Sequence, residues 1–271
     1  MKKFLCAAFL GFAVLTAGAA ANNSSQAASQ KCVVSQDEKE IRALFSEMLR
    51  LGSELNLEEM LKLYSPEYIS VDENGETSTL AEIRNFAHHM NEMLNSLNLI
   101  KNPNTRVEGA RKLFTAMTYP DIAKECGFSK TEVEQAKVLL DLFSPDMTLS
   151  KFLTLLEKTF GGKTMSDAEF AEIVKKDNTP ESKALLETMR QEILNEMVKN
   201  IPSISDMKAI AKKDFEAFSL KSIKINGNQA TAVYHGINPD TKKIEETTAI
   251  LVKQNDKWLI FKETDRIIEK K

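Results

Sequence analysis

The chain of 271 residues is weakly acidic, with 36 basic and 39 acidic residues and a formal charge of −3 at pH 7. Interspersed charges in this balance lack the basic excess expected of a general nucleic-acid binder, so we expect no nucleic-acid partner. After the first 21 residues no stretch approaches the length of apolar sequence that spans a bilayer. We therefore expect no integral membrane segment beyond that point.

The N-terminal segment, residues 1–21, has the pattern of a secretory signal peptide. Lys2 and Lys3 precede an apolar run over 4–15, and Ala19-Ala20-Ala21 offers a cleavage site of small residues. The segment predicts an exported protein, in the bacterial periplasm or outside the cell, with an uncleaved N-terminal anchor as the alternative. Cleavage removes two lysines and leaves 34 basic against 39 acidic residues. Residues 22–34 are small and polar, which is typical of a flexible leader.

The cysteines allow one disulfide in the mature chain. Cys6 lies in the signal segment, which leaves Cys32 and Cys126. In an oxidising compartment an even pair permits a bridge between them. The alternative is two independent thiols, one in the leader and one in a helix. The two residues have no CxxC spacing, so they indicate neither a metal nor a redox motif.

Helical patterns dominate after the leader, and they are joined by one short strand. Tyr68–Val71 reads as a strand that stops at Asn74-Gly75. Helix starts are predicted where a Ser, Asn or Thr stands three residues before a Glu. In this part of the chain those pairs are Ser35–Glu38, Asn56–Glu59 and Thr79–Glu82.

The chain is helical in pattern from 100 to 213 and then changes to strands. Thr179-Pro180 opens a long helix, and Asn226-Gly227 is a strong hairpin signal. Alternation of apolar and polar residues on both sides of this turn predicts an antiparallel meander of about four strands. Further helix starts in the helical part are Thr105–Glu108, Ser129–Glu132 and Ser166–Glu169.

The order of elements resembles the nuclear-transport-factor-2-like superfamily, particularly its SnoaL-like and ketosteroid-isomerase-like bacterial members. The similar residues lie in 61–75, 82–86, 227–233 and 250–260. The resemblance implies an α+β fold in which N-terminal helices pack on a curved antiparallel sheet, cone-like, around a mostly apolar pocket. It divides the domain into 35–99 and 214–271, with an all-helical insertion over 100–213 where family members have a short connection.

Asp72 is the residue to which the resemblance assigns catalysis. Ketosteroid-isomerase-like members place a general-base carboxylate at this point, after the first strand. The same family uses a tyrosine on the first helix, and Ile41–Leu51 contains none. Asp72-Glu73-Asn74-Gly75 also has the composition of an ordinary polar turn, so the alternative is a structural role for Asp72 in that turn.

Several large side chains are candidates for the wall of the pocket. His235 alternates in register with Val233 and Ile237, while Tyr234 falls on the opposite face of the strand. We interpret His235 as the better ligand contact, with a half-buried, hydrogen-bonded histidine as the alternative. The pocket candidates are Tyr68, Phe86, Tyr234, His235 and Trp258.

The helical part contains two further patterns. Tyr119–Val133 is similar to a helix-turn-helix, although the acidic balance and the predicted export favour a plain helix corner. Its methionines are candidates for a peptide- or lipid-binding groove, with core filling as the alternative. Those methionines are Met147, Met165, Met189, Met197 and Met207.

The sequence favours a non-enzymatic, exported binding protein that holds a small apolar ligand, a lipid or a partner peptide. The alternative is an isomerase, dehydratase or hydrolase with Asp72 as general base. A homodimer formed through the outer sheet is a third hypothesis. His88 and His89 are adjacent on a helix and diverge by about 100°, so they cannot easily share a metal. With no phosphate loop, nucleophile elbow or metal-ligand pair, we expect neither a cofactor nor a metal.

Overall fold

The structure, a computed structural model, describes residues 35–160, 166–237 and 243–268. Within these residues the fold is α+β, as predicted. The predicted signal peptide, the leader with Cys32, and the groove candidate Met165 lie outside the described residues. The predicted disulfide therefore stays a prediction; its other half, Cys126, is fully buried.

The helices and strands follow the chain in an order close to the predicted one. The N-terminal elements are α1 (Gln36–Ser53), α2 (Leu57–Met60), a 3₁₀ turn (Leu61–Leu63), β1 (Tyr64–Val71), β2 (Thr77–Thr79) and α3 (Leu80–Lys101). The helices that follow are α4 (Arg106–Met117), α5 (Pro120–Glu125), α6 (Lys130–Leu142), α7 (Leu149–Phe160), α8 (Asp167–Lys175), α9 (Pro180–Asn200) and α10 (Ile204–Glu216). The C-terminal strands are β3 (Ser219–Asn226), β4 (Gln229–Ile237), β5 (Ile244–Gln254) and β6 (Lys257–Ile268).

The chain divides into two compact units. The sheet unit is formed by the described residues up to Ala87 together with those from Ser205 onward, and the helical unit is His88–Ile204. The first boundary lies inside α3, and the second lies at the start of α10. The sequence pattern predicts the helical insertion over 100–213, the range in which the pattern is helical throughout.

The six strands form one curved, unclosed sheet in the order β2-β1-β6-β5-β4-β3. The prediction of a purely antiparallel sheet is wrong, because β1 pairs with β6 in parallel and the sheet is therefore mixed. Hairpin signals in a sequence report only on consecutive strands. The other pairs are antiparallel, and β3 and β4 meet at the predicted Asn226-Gly227 turn, where Gly227 has φ +58°.

The predicted pairs of a Ser, Asn or Thr with the Glu three residues on form cap hydrogen bonds at some of the helix starts. Ser129 and Ser166 each form the complete predicted box with the glutamate three residues on, and the Ser35 hydroxyl accepts from the backbone N–H of Glu38 at 3.1 Å. Asn56 makes no side-chain cap hydrogen bond. Thr105 caps a different helix, because its hydroxyl donates to the carbonyl of Leu99 at 2.9 Å. The same carbonyl, in the last turn of α3, also accepts from the backbone N–H of Asn102 at 3.2 Å.

The core of the sheet unit lies between the inner face of the sheet and its helices. Ile41 and Phe45 of α1 are buried, and the ring of Phe45 meets Tyr234 of β4 edge-on, with 5.5 Å between ring centroids. Helix α1 also comes close to α10. A Cβ on Gly52 would lie 2.5 Å from Cζ of Phe215, so a larger residue there requires the Phe215 ring to shift.

The helical unit has its own core of aromatic and aliphatic side chains. Phe114 of α4 and Phe143, just after α6, stack with centroids 6.0 Å apart. Arg190 of α9 is buried, and its guanidinium donates to the carbonyls of Leu142 and Ser144 at 3.1 and 2.6 Å. The bond to Leu142 satisfies a carbonyl at the C-terminal end of α6, which a helix cannot satisfy internally, whereas Ser144 lies two residues beyond that helix.

Candidate functional site

A row of polar side chains crosses the inner face of the sheet. Tyr234 of β4 pairs with Thr247 of β5, and Thr247 pairs with Asp265 of β6. Glu263 lies two residues before Asp265 on the same strand, opposite Ala249. Side chains two apart on a strand share a face, so both carboxyl groups of β6 point to the same side as Tyr234 and Thr247.

A bulge in β6 is what turns the two carboxyl groups inward. Phe261 is an extra residue between Ile260 and Lys262, and these two pair with consecutive residues of β5. Strict alternation from the buried Ile260 would put Lys262 inside. The extra residue shifts the phase by one, so that Glu263 is buried instead, with 3 % of its surface exposed.

Glu263 is held by two tyrosine hydroxyls. Tyr68 of β1 donates to Oε2 at 2.5 Å, and Tyr234 of β4 donates to Oε1 at 2.6 Å. Thr247 donates to Oδ1 of Asp265 at 2.6 Å. Tyr64, whose hydroxyl contacts Sδ of Met48 at 3.5 Å, packs edge-on against Tyr68.

A cavity opens beside these groups within the sheet unit. About 40 Å³ of it is open to the centre of a water molecule, and the empty space is about 540 Å³ when the open mouth is included. A single buried water needs roughly 10–15 Å³ by the first measure, so the inner part admits a few water-sized groups. The walls are mostly apolar: Met48, Met60, Tyr64, Phe215, Phe218, Tyr234, Gly236, Thr247, Glu263 and Asp265.

Burial dominates the electrostatics of this cavity. It raises the pKa of Glu263 above the ordinary value of 4.5; the tyrosine hydrogen bonds lower it, and the Asp265 carboxyl raises it further. Burial, followed by the charge of Glu263, also holds the pKa values of Tyr64, Tyr68 and Tyr234 well above 10.0. The tyrosines therefore keep their protons at neutral pH and act as donors.

The outer face of the sheet carries a separate cluster. His235 lies 3.1 Å from Glu246 through Nε2, and Arg266 also forms an ion pair with Glu246. Burial pushes the pKa of Glu246 upward, but the hydrogen bonds from His235 and Arg266 lower it overall. Tyr234, and not His235, has the inner face of β4 and lines the cavity, so the interpretation of His235 as the better ligand contact stays a prediction that this cavity does not support.

The other predicted site residues lie away from the cavity wall. Asp72 closes the turn between β1 and β2, where its Oδ1 accepts from the backbone N–H groups of Asn74 and Glu76 at 2.8 and 2.9 Å. Phe86 is fully buried in α3. Trp258 is buried on β6, and its indole N–H donates to Asp37 at 3.1 Å. Tyr68 reaches the cavity only through its bond to Glu263.

The described part of the helical unit includes shallow grooves lined by both polar and apolar side chains. One runs beside Met147, Leu155, Phe170 and Val174 and measures about 620 Å³. Of the methionines proposed for such a groove, Met147 lines this one, whereas Met207 is fully buried in the sheet unit. His88 is exposed, as expected, and His89 contacts Asp121 through Nδ1 at 2.8 Å while its ring stacks on Tyr119.

Comparisons with protein-family models, with curated proteins and with solved structures give no match to this chain. Among the described residues, no helix has the length and apolar character needed to cross a membrane. The same part of the chain contains no group of three or more His, Cys, Asp or Glu side chains placed to hold a metal ion. The function must therefore be argued from the cavity itself.

Sequence reasoning missed the carboxyl groups that define the cavity. Glu263 and Asp265 were not among the predicted site residues, and strict alternation from Trp258 and Ile260 would put both on the outer face. A local signal existed in the consecutive large residues Leu259-Ile260-Phe261, which break strict alternation at the position of the bulge. The predicted pocket residues did include Tyr68 and Tyr234, the two hydrogen-bond partners of Glu263.

Proposed function

We propose that this chain is a binding protein that holds a small, largely apolar molecule in the cavity of the sheet unit. The observation that carries the proposal is a recess with apolar and aromatic walls and a few polar groups on adjacent strands. Ligand sites in proteins have this composition, with polar groups fixing the orientation of an apolar body. The size of the inner space favours a compact ligand, or one whose bulk remains in the mouth.

Export to the periplasm or the cell exterior remains part of the proposal, on the basis of the N-terminal sequence pattern. We also retain the proposed kinship with the nuclear-transport-factor-2-like superfamily. It is supported by β1 and β2 joining β3–β6 in a single sheet, although more than a hundred residues separate the two groups in sequence. Fold kinship alone does not specify an activity.

Acid–base catalysis is the second candidate function, and the observation that favours it is the burial of the Glu263 carboxyl group beside an apolar recess, which raises its pKa. A carboxyl group in an apolar recess can exchange a proton near neutral pH. Asp72 is a weaker candidate for this role, since its carboxylate accepts the backbone N–H groups of its own turn. An enzyme of this kind would lose turnover on Glu263→Gln and keep it on Asp72→Asn.

Filling the cavity tests the binding function. Gly236 lines the cavity on β4 and does not have positive φ, so a β-branched residue is compatible with its backbone. We expect Gly236→Val to weaken binding of a small probe, 1-butanol, by about tenfold or more, because the added side chain occupies the recess. Binding is measured from the ¹³C-methyl NMR signals of Met48 and Met60, both of which line the cavity.

Thr231→Val is the matched control, because Thr231 is exposed on the opposite face of the same strand. It adds the same side chain without entering the cavity, so 1-butanol should bind as it does to the original chain. Native mass spectrometry of the purified protein adds an independent search for a retained ligand. If 1-butanol shifts the Met48 and Met60 signals with the same affinity in Gly236→Val as in Thr231→Val, binding in this cavity is contradicted.

A further inference from the structure

We propose that the cavity of the sheet unit selects ligands with a cationic head group, such as an alkylammonium, over neutral or anionic ligands of the same size. This inference rests on the proposed binding function and specifies its ligand class. It follows from the charges of the wall, from its aromatic side chains and from the contrast with other carboxylates of the same unit.

The wall of the cavity carries two acidic groups, Glu263 and Asp265. In the part of the chain that the structure describes, Glu263 and Asp265 receive hydrogen bonds from hydroxyl groups, and no lysine, arginine or histidine forms an ion pair with either. Buried carboxylates are normally paired with a cation, because desolvation penalises an isolated charge. A cation bound in the recess would supply the missing countercharge.

Other carboxylates of the sheet unit do have basic partners. Asp37 lies 2.6 Å from Nζ of Lys253, and Glu246 contacts both His235 and Arg266. These acids are more exposed than Glu263, so their need for a countercharge is smaller. Glu263 and Asp265 have no such ion pair among the described residues, and they are the two acids in the wall of the cavity.

The aromatic side chains of the wall also favour a cation. Tyr64, Phe215, Phe218 and Tyr234 line the same space, and the rings of Phe218 and Tyr234 lie with their centroids 4.8 Å apart. The faces of aromatic rings attract ammonium groups, and methylated ammonium ions are recognised by cages of this kind. The same walls accept the apolar part of an alkylammonium.

A metal ion fits the recess less well than an organic cation. Among the described residues, no third His, Cys, Asp or Glu is placed to hold a metal ion together with Glu263 and Asp265. Calcium and magnesium sites in proteins usually combine more oxygen ligands than two carboxylates and one hydroxyl. Apolar walls offer nothing to a hydrated metal ion, whereas they can contact carbon atoms of an organic ligand.

The preference for a cation should depend on pH. The titratable groups that face Glu263 are Asp265 on its own strand, Tyr64 and Tyr68 on β1, and Tyr234 on β4; α1, α2 and α10 contribute methionine and phenylalanine to the cavity. The tyrosines stay neutral at physiological pH, so the carboxyl groups set the charge of the wall. A cation stabilises the ionised form of Glu263, so its affinity should rise as that group loses its proton.

Three probes of matched length test the inference: n-butylammonium, 1-butanol and butyrate. The same Met48 and Met60 methyl signals report on each titration. At pH 8 we expect n-butylammonium to bind about tenfold more tightly than 1-butanol, and butyrate to bind more weakly than both. Between pH 5 and pH 8 the affinity for n-butylammonium should rise while that for 1-butanol stays constant, since an alkylammonium, like lysine, remains charged throughout.

Asp265→Asn removes one charge and keeps the shape, so it should reduce the preference for n-butylammonium over 1-butanol to within about threefold. Glu246→Gln, on the outer face of the sheet, is the matched control and should leave the preference unchanged. Equal affinities for n-butylammonium and 1-butanol, or no pH dependence in the original chain, would overturn the inference and leave the binding function standing. If none of the three probes shifts Met48 or Met60, both the inference and the binding function fail.

Discussion

Replacing Gly109 by alanine is expected to destabilise the helical unit by about 2–4 kcal/mol. A Cβ at this position would lie 2.5 Å from the backbone nitrogen of Ile100 and 2.8 Å from the carbonyl carbon of Leu99. Both are backbone atoms in the last turn of α3, so neither can rotate away. In an ordinary helix interior the same change would be stabilising by about 1 kcal/mol, so the expected sign is reversed.

The close approach at Gly109 is fixed by hydrogen bonds on both sides of the α3–α4 connection. Thr105 donates through its hydroxyl to the carbonyl of Leu99, and Arg106 donates through Nε to the carbonyl of Ile100, both at 2.9 Å. These bonds hold the first turn of α4 against the last turn of α3. Separating the two helices to make room for a methyl group would break them and expose orphan carbonyls.

Urea unfolding followed by circular dichroism at 222 nm measures this effect, because most of the described helix belongs to the helical unit. Trp258, the single tryptophan, gives a separate fluorescence signal from the sheet unit. Gly127→Ala is the control: Gly127 has φ +67° but nothing within 4 Å of an added Cβ, so backbone strain alone should cost about 1–2 kcal/mol. Unchanged or increased stability of Gly109→Ala would show that the helices can move apart freely.

The helices were predictable to the extent that their signals are local. Ser129 and Ser166 begin their helices with the boxes read from the sequence, because the cap and its glutamate are three residues apart. Thr105 matches the same pattern and behaves differently, because the carbonyl of Leu99 competes for its hydroxyl. The need for glycine at 109 depends on how tightly two helices pack, which no local pattern records.

The site was predictable only in part, for a related reason. Tyr68 and Glu263 are 195 positions apart in sequence, and their hydrogen bond depends on the parallel pairing of β1 with β6. Hairpin turns and alternation define neighbouring strands but do not say which distant strands pair. The bulge at Phe261 adds a second obstacle, since one extra residue reverses the face of every later side chain in β6.

Removing the tyrosine hydroxyls that hold Glu263 is expected to have the largest effect in the sheet unit. At pH 8 we expect Tyr68→Phe and Tyr234→Phe each to lower the free energy of unfolding by about 1.5–3 kcal/mol, because each removes a hydrogen bond to a buried charged group. The double variant should lose more than either single variant, since Glu263 then has neither of these donors.

Tyr64→Phe is the matched control for this series. Tyr64 is buried and lines the same cavity, but its hydroxyl contacts only the weak acceptor Sδ of Met48, at 3.5 Å, among the hydrogen bonds of the described residues. Its loss should cost under about 1 kcal/mol. A loss as large as that of Tyr68→Phe would mean that shape or solvation, rather than the bond to Glu263, gives the effect.

The pH dependence of these losses separates a hydrogen bond to a carboxylate from one to a neutral acid. Because the pKa of Glu263 is raised in the folded chain, its contribution to stability is complete below its ordinary value of 4.5 and is lost as pH rises through the raised value. Each tyrosine that is removed raises that pKa further, so the variants should lose stability more steeply between pH 4 and pH 8 than the original chain does. Urea titration of each variant and of the original chain at pH 4 and at pH 8 measures these unfolding free energies. A loss of equal size at pH 4 and pH 8 would mean that Glu263 keeps one protonation state across this range, and its ionisation could then not be the cause of a rise in affinity for n-butylammonium.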